Sequence, residues 1–236
     1  MDYPGYLALR KSLAPGLRYN QQHYSEVLDA TITPATLWLD AGCGHLVIPH
    51  YPHIGQGLVA RARRVVGVDL DERALRHHEA IAKVVVTDLE ALPFKDESFT
   101  LVTANMVVEH LARPAPVFSE FARVLTRGGQ LLLHTPNAWS YFVLVARFLP
   151  DAVIRWLDER PPEDIFPAHY RANTPRRLTR LLGAAGFQKI TYRLLSSDAI
   201  LQRSWLLCAV ELFWIRATMT RLGKIFRVSM LVTASR

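Results

Sequence analysis

Cysteine is nearly missing: Cys43 and Cys208 are the only two in 236 residues. Two cannot build a disulfide framework, and neither has the CxxC or histidine company of a zinc site. A reducing, cytoplasmic setting is the expectation. Long apolar runs are missing as well. The apolar stretch at residues 205–215 holds eleven residues with Glu211 among them, whereas a membrane-crossing helix needs about 20. The opening residues Met1-Asp2-Tyr3-Pro4-Gly5 lack the basic start and apolar run of a signal peptide, so export is not expected. His45, His50 and His53 are close in sequence but have no cysteine or acid nearby to complete a ligand set, so no metal is expected.

What is present in excess is positive charge, formally +7, and its location matters more than its size. Residues 188–236 hold eight Lys or Arg against two acids, Asp198 and Glu211, whereas residues 1–187 are nearly balanced. The cationic character therefore belongs to the C-terminal segment.

Short β-rich runs alternate with helical periodicity after about residue 37, the pattern of a parallel sheet with crossover helices. Strands are predicted at residues 37–39, 65–68, 83–86, 99–102 and 130–134. Two more are predicted at 188–195 and 227–233. A helix is predicted over residues 116–125, stopped by Gly128-Gly129. Thr174-Pro175 reads as an N-cap followed by proline at the first helical position, with Gly186 ending that helix. The fold predicted is α/β, a doubly wound, mostly parallel seven-stranded Rossmann-like sheet with an antiparallel last strand and a helical cap insertion.

One domain over residues 1–236 is expected from this length. It comprises a helical segment at 1–36, a core at 37–137 and a cap at 138–173. The remainder, 174–236, adds a helix and strands with an inserted apolar helix at about 198–223. The loop 45–56, with two prolines, is expected to delay the first crossover helix.

Ligands of open parallel sheets sit beyond the carboxyl ends of the strands. Three predicted strands here end in an aspartate: Asp40, Asp69 and Asp88. Gly42-Cys43-Gly44 follows the first and lets backbone approach a ligand. A carboxylate at the second position can accept hydrogen bonds from a ribose diol. Leu89 to Phe94 follow the third as an apolar turn suited to an adenine face. In these motifs, LWLDAGCG, VVGVDLD, VVTDLEALPF and RVLTRGGQLLLHTPN, the chain resembles the class I S-adenosylmethionine-dependent methyltransferases, in particular the quinone-biosynthesis and small-molecule branch.

The resemblance implies S-adenosylmethionine as cofactor. It places Asp40, Gly42 and Gly44 at the methionine portion, Asp69 with Leu70 at the ribose, Asp88 and Leu89 at the adenine, and the Asn105 backbone at the methionine end. Leu46 stands where the family usually has a further glycine. His110 and His169 are the candidate bases, since imidazole titrates near neutrality; the structural alternatives are that His110 orders the loop after strand four and His169 packs the cap.

Methyl transfer to a small, largely apolar or lipid-linked acceptor, at oxygen, is the expected activity. The alternatives are a catalytically inactive cofactor- or partner-binding relative and a nucleic-acid methyltransferase. Nucleic acid is disfavoured because Thr103-Ala104-Asn105-Met106 stands where an NPPY signature would. A nicotinamide enzyme would need glycine where Val47 stands. The apolar helix has three expected fates: burial against residues 142–149, a homodimer contact, or rest on an anionic membrane at its inner face.

Overall fold

The computed structural model describes residues 2–146, 167–202 and 204–236. Most of the predicted cap, residues 147–166, and Arg203 lie outside the described residues. Contacts divide the chain into two compact units: Met1–His23, Pro136–Pro167 and Leu194–Met230 form the smaller, while Tyr24–Thr135, Ala168–Arg193 and Leu231–Arg236 form the larger.

A seven-stranded sheet organises the larger unit. Its strands are β1 (Leu37–Ala41), β2 (Arg64–Asp69), β3 (Val84–Val86), β4 (Phe99–Asn105), β5 (Leu125–Pro136), β6 (Gln188–Leu195) and β7 (Ser229–Ser235). They lie in the order β3-β2-β1-β4-β5-β7-β6. The pairs among β1 to β5 are parallel; β7 meets the start of β5 through reciprocal bonds between Gly128, Gly129 and Arg236, running antiparallel. With β1 and β4 central, their side chains are covered on both faces, which is why both read as nearly continuous apolar runs. Trp38, Leu39, Leu101 and Val102 are all buried.

The helices near this sheet are α2 (Asn20–Thr31), α3 (Pro52–Arg61), α4 (Glu72–Arg76), α5 (Pro114–Val124) and α7 (Pro175–Ala184). α3 starts inside the loop expected to delay it, because Pro52 sits at the helix start, where a missing N–H costs nothing. α5 also starts on proline and buries Val117, Phe118, Phe121 and Val124, a stripe at helical spacing. It ends one residue earlier than predicted. Leu125 turns extended (φ −75°, ψ 140°) and pairs with Phe99 as the first residue of β5. Thr174 caps α7 by accepting from the Arg177 N–H at 3.3 Å. Phe121 is fully buried, so Phe121→Ala should cost about 3–5 kcal/mol. The readout is a lower denaturant midpoint at unchanged slope.

The smaller unit contains α1 (Tyr3–Leu13), α6 (Tyr141–Ala146) and α8 (Trp205–Met219). Its core joins Tyr6, Ala14 and Leu17 to Ala199, Cys208, Leu212 and Ile215. Glu211, buried within α8, accepts from the Tyr141 hydroxyl (2.8 Å) and from the N–H groups of Ile200 (2.9 Å) and Leu201 (2.7 Å). The one acid of that helix is thus committed to the interior, as a buried carboxylate must be to remain affordable. Arg227 donates to the carbonyls of Thr218, Met219 and Leu194, tying off the last turn of α8.

Candidate functional site

β1 and β4 run in register with Asp40 beside Thr103. The Thr103 hydroxyl donates to Asp40 Oδ1 at 2.6 Å and accepts from Trp38 Nε1 at 2.7 Å. Asp40 is almost wholly buried. Burial, the largest influence, pushes its carboxyl up to about 7; the Thr103 bond pulls it down, and the Asp69 charge adds a smaller push upward.

Past β1 the chain turns through Gly42 at φ +67°. A Cβ there would overlap the Val107 side chain, so only glycine fits both the turn and the approach. The N–H groups of Gly42 and Cys43 both donate to the Val68 carbonyl, at 2.7 and 3.1 Å. Gly44 N–H donates to Asp69 Oδ2 at 2.9 Å, while Asp69 Oδ1 accepts from Asp71 N–H at 3.0 Å. Asp71 in turn caps α4. A Cβ on Gly67 would come 2.7 Å from Cys43 Sγ, so β2 gives up a side chain to seat this turn. The turn after β1 and the carboxylate at the end of β2 are therefore one hydrogen-bonded assembly.

Asn105 ends β4 with its Oδ1 2.8 Å from His134 Nδ1 on β5. The fully buried Tyr24 of α2 stacks on that imidazole, centroids 5.7 Å apart. Burial, and then the Asp40 charge, push the Tyr24 hydroxyl well above its ordinary range.

A cleft of about 400 Å³ opens over these strand ends, lined by Asp40, Gly42, Cys43, Gly44, Leu46 and Asn105 among others. Four predicted cofactor residues meet there. Asp69 is outside the lining and joins it through Gly44; Leu70 is exposed beside it. At the end of β3, Asp88 accepts from Glu90 N–H at 2.9 Å and Leu89 is buried. Neither lines the cleft. Leu46 forms part of its wall where the expected glycine would leave space.

His110 sits in the 3-10 turn Val108–His110, with Nε2 3.8 Å from Glu109 Oε1. Glu109 is buried and accepts at Oε2 from the Thr135 hydroxyl (3.0 Å), which accepts from Asn173 Nδ2 (2.6 Å). The Glu109 carbonyl also accepts from the N–H groups of His169 (2.7 Å) and Tyr170 (3.1 Å). The segments carrying the two candidate bases are thus fastened together at Glu109, although neither histidine lines the cleft.

Glu109, Thr103, His134 and Tyr24 were missed from sequence. The available signal was a polar residue inside an otherwise apolar strand, Thr103 in FTLVTAN and His134 in QLLLH. Among the described residues, no three His, Cys, Asp or Glu side chains gather as a metal-binding group.

Residues 39–133 match a family model described as a methyltransferase domain. The chain carries a class I S-adenosylmethionine-dependent methyltransferase domain. It is 34% identical over 156 residues to a Mycolicibacterium smegmatis protein named as a probable S-adenosylmethionine-dependent methyltransferase, covering 64% of this chain and 51% of that one. It is 32% identical over 169 residues to a malonyl-[acyl-carrier protein] O-methyltransferase of Erwinia billingiae, covering 69% and 63%. The chain thus spans about half the length of the mycobacterial relatives it matches.

In fold, the methyltransferase domain is similar to a S-adenosylmethionine-dependent methyltransferase of Archaeoglobus fulgidus, with TM-score 0.56, 18% identity and full coverage of both chains. It is likewise similar to one of Methanosarcina mazei, with TM-score 0.60, 19% identity, and coverage of 89% and 96%. The cofactor of this family is S-adenosylmethionine.

Proposed function

We propose that the protein transfers a methyl group from S-adenosylmethionine to an oxygen of a small, largely apolar or lipid-linked acceptor. The observation that carries this reading is the Asp69 carboxylate at the end of β2 hydrogen-bonded to the glycine turn that follows Asp40, with a cleft above. The residues present fit the cofactor. Asp40 is a buried carboxylate at the cleft wall that an ammonium group would stabilise in its ionised form. Gly42 and Gly44 offer bare backbone to the methionine portion, and the Asn105 backbone closes that end. Asp69, with Leu70 beside it, receives the ribose diol, while Asp88 and Leu89 flank the adenine. The Erwinia relative's name specifies an O-methyltransferase, which supports oxygen as the acceptor atom.

When bound, S-adenosylmethionine supplies a methyl group already activated on a sulfonium sulfur. What the protein adds is alignment of the acceptor and removal of its proton where the acceptor is a hydroxyl. In the proposed reaction the acceptor oxygen forms a bond to the methyl carbon as the carbon–sulfur bond breaks, releasing S-adenosylhomocysteine and passing the acceptor proton to a base. His110 is the first candidate for that base and His169 the second, both held at Glu109. His110→Ala should bind cofactor with unchanged affinity and lower kcat by about 10²–10⁴-fold. Release of S-adenosylhomocysteine from a panel of phenolic, carboxylic and lipid-linked acceptors reads this. Wild-type turnover in the variant would return His110 to ordering its turn.

A further inference from the structure

Only one side of α8 reaches the core of the smaller unit. Cys208, Glu211, Leu212, Ile215 and Thr218 are buried, at the three- and four-residue spacing of one helical face. The opposite pole of a soluble helix should be polar. Here it is Leu206, Val210, Phe213 and Ala217, with the first three 64, 62 and 69% exposed. Trp205 and Trp214 flank this pole, and two more exposed apolar residues, Leu222 at 92% and Ile225, follow just past the helix in sequence. At 1.5 Å per residue this face runs along about 17 Å, from Leu206 to Ala217. A contiguous exposed apolar surface of this kind marks an interaction site.

Charge identifies the occupant. Arg216, Arg221 and Lys224 are exposed around the apolar pole. Between residue 199 and the last residue described, the sole acid is Glu211, and it is turned inward to Tyr141, Ile200 and Leu201. Asp198, just before, pairs with Arg10 at 3.1 Å. A second copy packed symmetrically on this face would bring two sets of cations together with no exposed carboxylate from these segments to meet them, which is costly. An anionic bilayer surface offers both needed surroundings: acyl chains for Leu206, Val210 and Phe213, and headgroup charge for the cations. Tryptophans at the edge of the apolar face suit the boundary between the two. No helix among the described residues is long and apolar enough to cross a membrane, so the contact is one of lying on the surface.

We infer that the exposed pole of α8 is a docking surface for an anionic lipid bilayer, seated through Leu206, Val210 and Phe213 and held by Arg216, Arg221 and Lys224. This goes beyond the proposed reaction and does not rest on it. The test is sedimentation of the full chain, without cofactor, on phosphatidylcholine vesicles made with and without phosphatidylglycerol. Binding is expected on the phosphatidylglycerol vesicles, with partitioning at least about tenfold lower on phosphatidylcholine alone. R221Q/K224Q should lower partitioning about thirtyfold, at roughly one headgroup interaction per cation. F213D should abolish it, while circular dichroism and calorimetric cofactor binding match wild type, because Phe213 faces away from the core. Equal binding to both vesicle types, no binding to either, or wild-type binding by F213D would each overturn the inference. So would a dimer in analytical ultracentrifugation that F213D turns into a monomer.

Discussion

Asp69→Ala should lose S-adenosylmethionine and S-adenosylhomocysteine binding by at least about a hundredfold in calorimetric titration. Two losses combine. The carboxylate proposed to receive the ribose diol disappears, and so do the acceptors for Gly44 N–H and Asp71 N–H, at 2.9 and 3.0 Å. Hydrogen bonds to a charged group contribute about 1.5–3 kcal/mol each, with a discount here because Asp69 is partly exposed. The glycine turn therefore loses its tether together with the ligand's partner. Asp69→Asn separates the two effects. Its single carbonyl oxygen can hold one of the backbone N–H groups, so most of the fold stability should survive while binding stays weak. Wild-type affinity in Asp69→Ala, with circular dichroism showing a folded protein, would remove Asp69 from the proposed site.

Cofactor affinity should also depend on pH through Asp40. In the folded protein its carboxyl is pushed up to about 7, mainly by burial, against about 3.9 for an unfolded chain. Between those values the folded state holds a proton that the unfolded state has released. The Asp40 contribution to stability is therefore fully present below about pH 4 and is lost as pH rises through about 7. Binding runs the other way. An ammonium group placed at Asp40 needs the carboxylate, so affinity should rise about tenfold per pH unit from pH 5.5 to 7, with uptake of the released proton by buffer. An α-amino group itself titrates at about 7.7–8.0, which closes the useful window at higher pH. Calorimetry in two buffers of different ionisation enthalpy measures that proton directly. Asp40→Asn should bind weakly, show no such slope, and be the more stable protein at pH 8. An unchanged slope in this variant would assign the titration to another group.

The central strands were legible because their signals are local. Residues 37–39, 65–68, 83–86 and 99–102 all lie in or against the observed β1 to β4, and Asp40, Asp69 and Asp88 close or follow three of them. Thr174 and Pro175 likewise announced α7 through chemistry that needs no neighbour. The misplaced boundaries have tertiary causes. Leu125 reads as the end of a helical stripe, yet its pairing with Phe99 and the bend at Gly128 (φ +76°) place it in β5. Proline in the 45–56 loop implies a delayed helix from sequence, whereas Pro52 starts α3.

The candidate site was legible only at its ends. Asp40, Gly42, Gly44 and Asn105, each singled out from its motif, line one cleft. The groups that hold them, Thr103 to Asp40, His134 to Asn105 and Thr135 to Glu109, act between residues 63, 29 and 26 positions apart. Such partners are set by strand register, which single-residue patterns do not encode. The apolar pole of α8 was hidden for a different reason: a helix apolar all round does not declare which side the core will take.

Cys43 seats over Gly67 at the cleft wall, and this gives the site a nucleophile of its own. Sulfur attacks an activated methyl only as thiolate. Burial, followed by the charges of Asp40 and Asp69, pushes the Cys43 thiol far above its ordinary range. Burial foremost, with the two carboxylates adding to it, favours the thiol form, so Cys43 should resist alkylation by the cofactor it is proposed to lie beside.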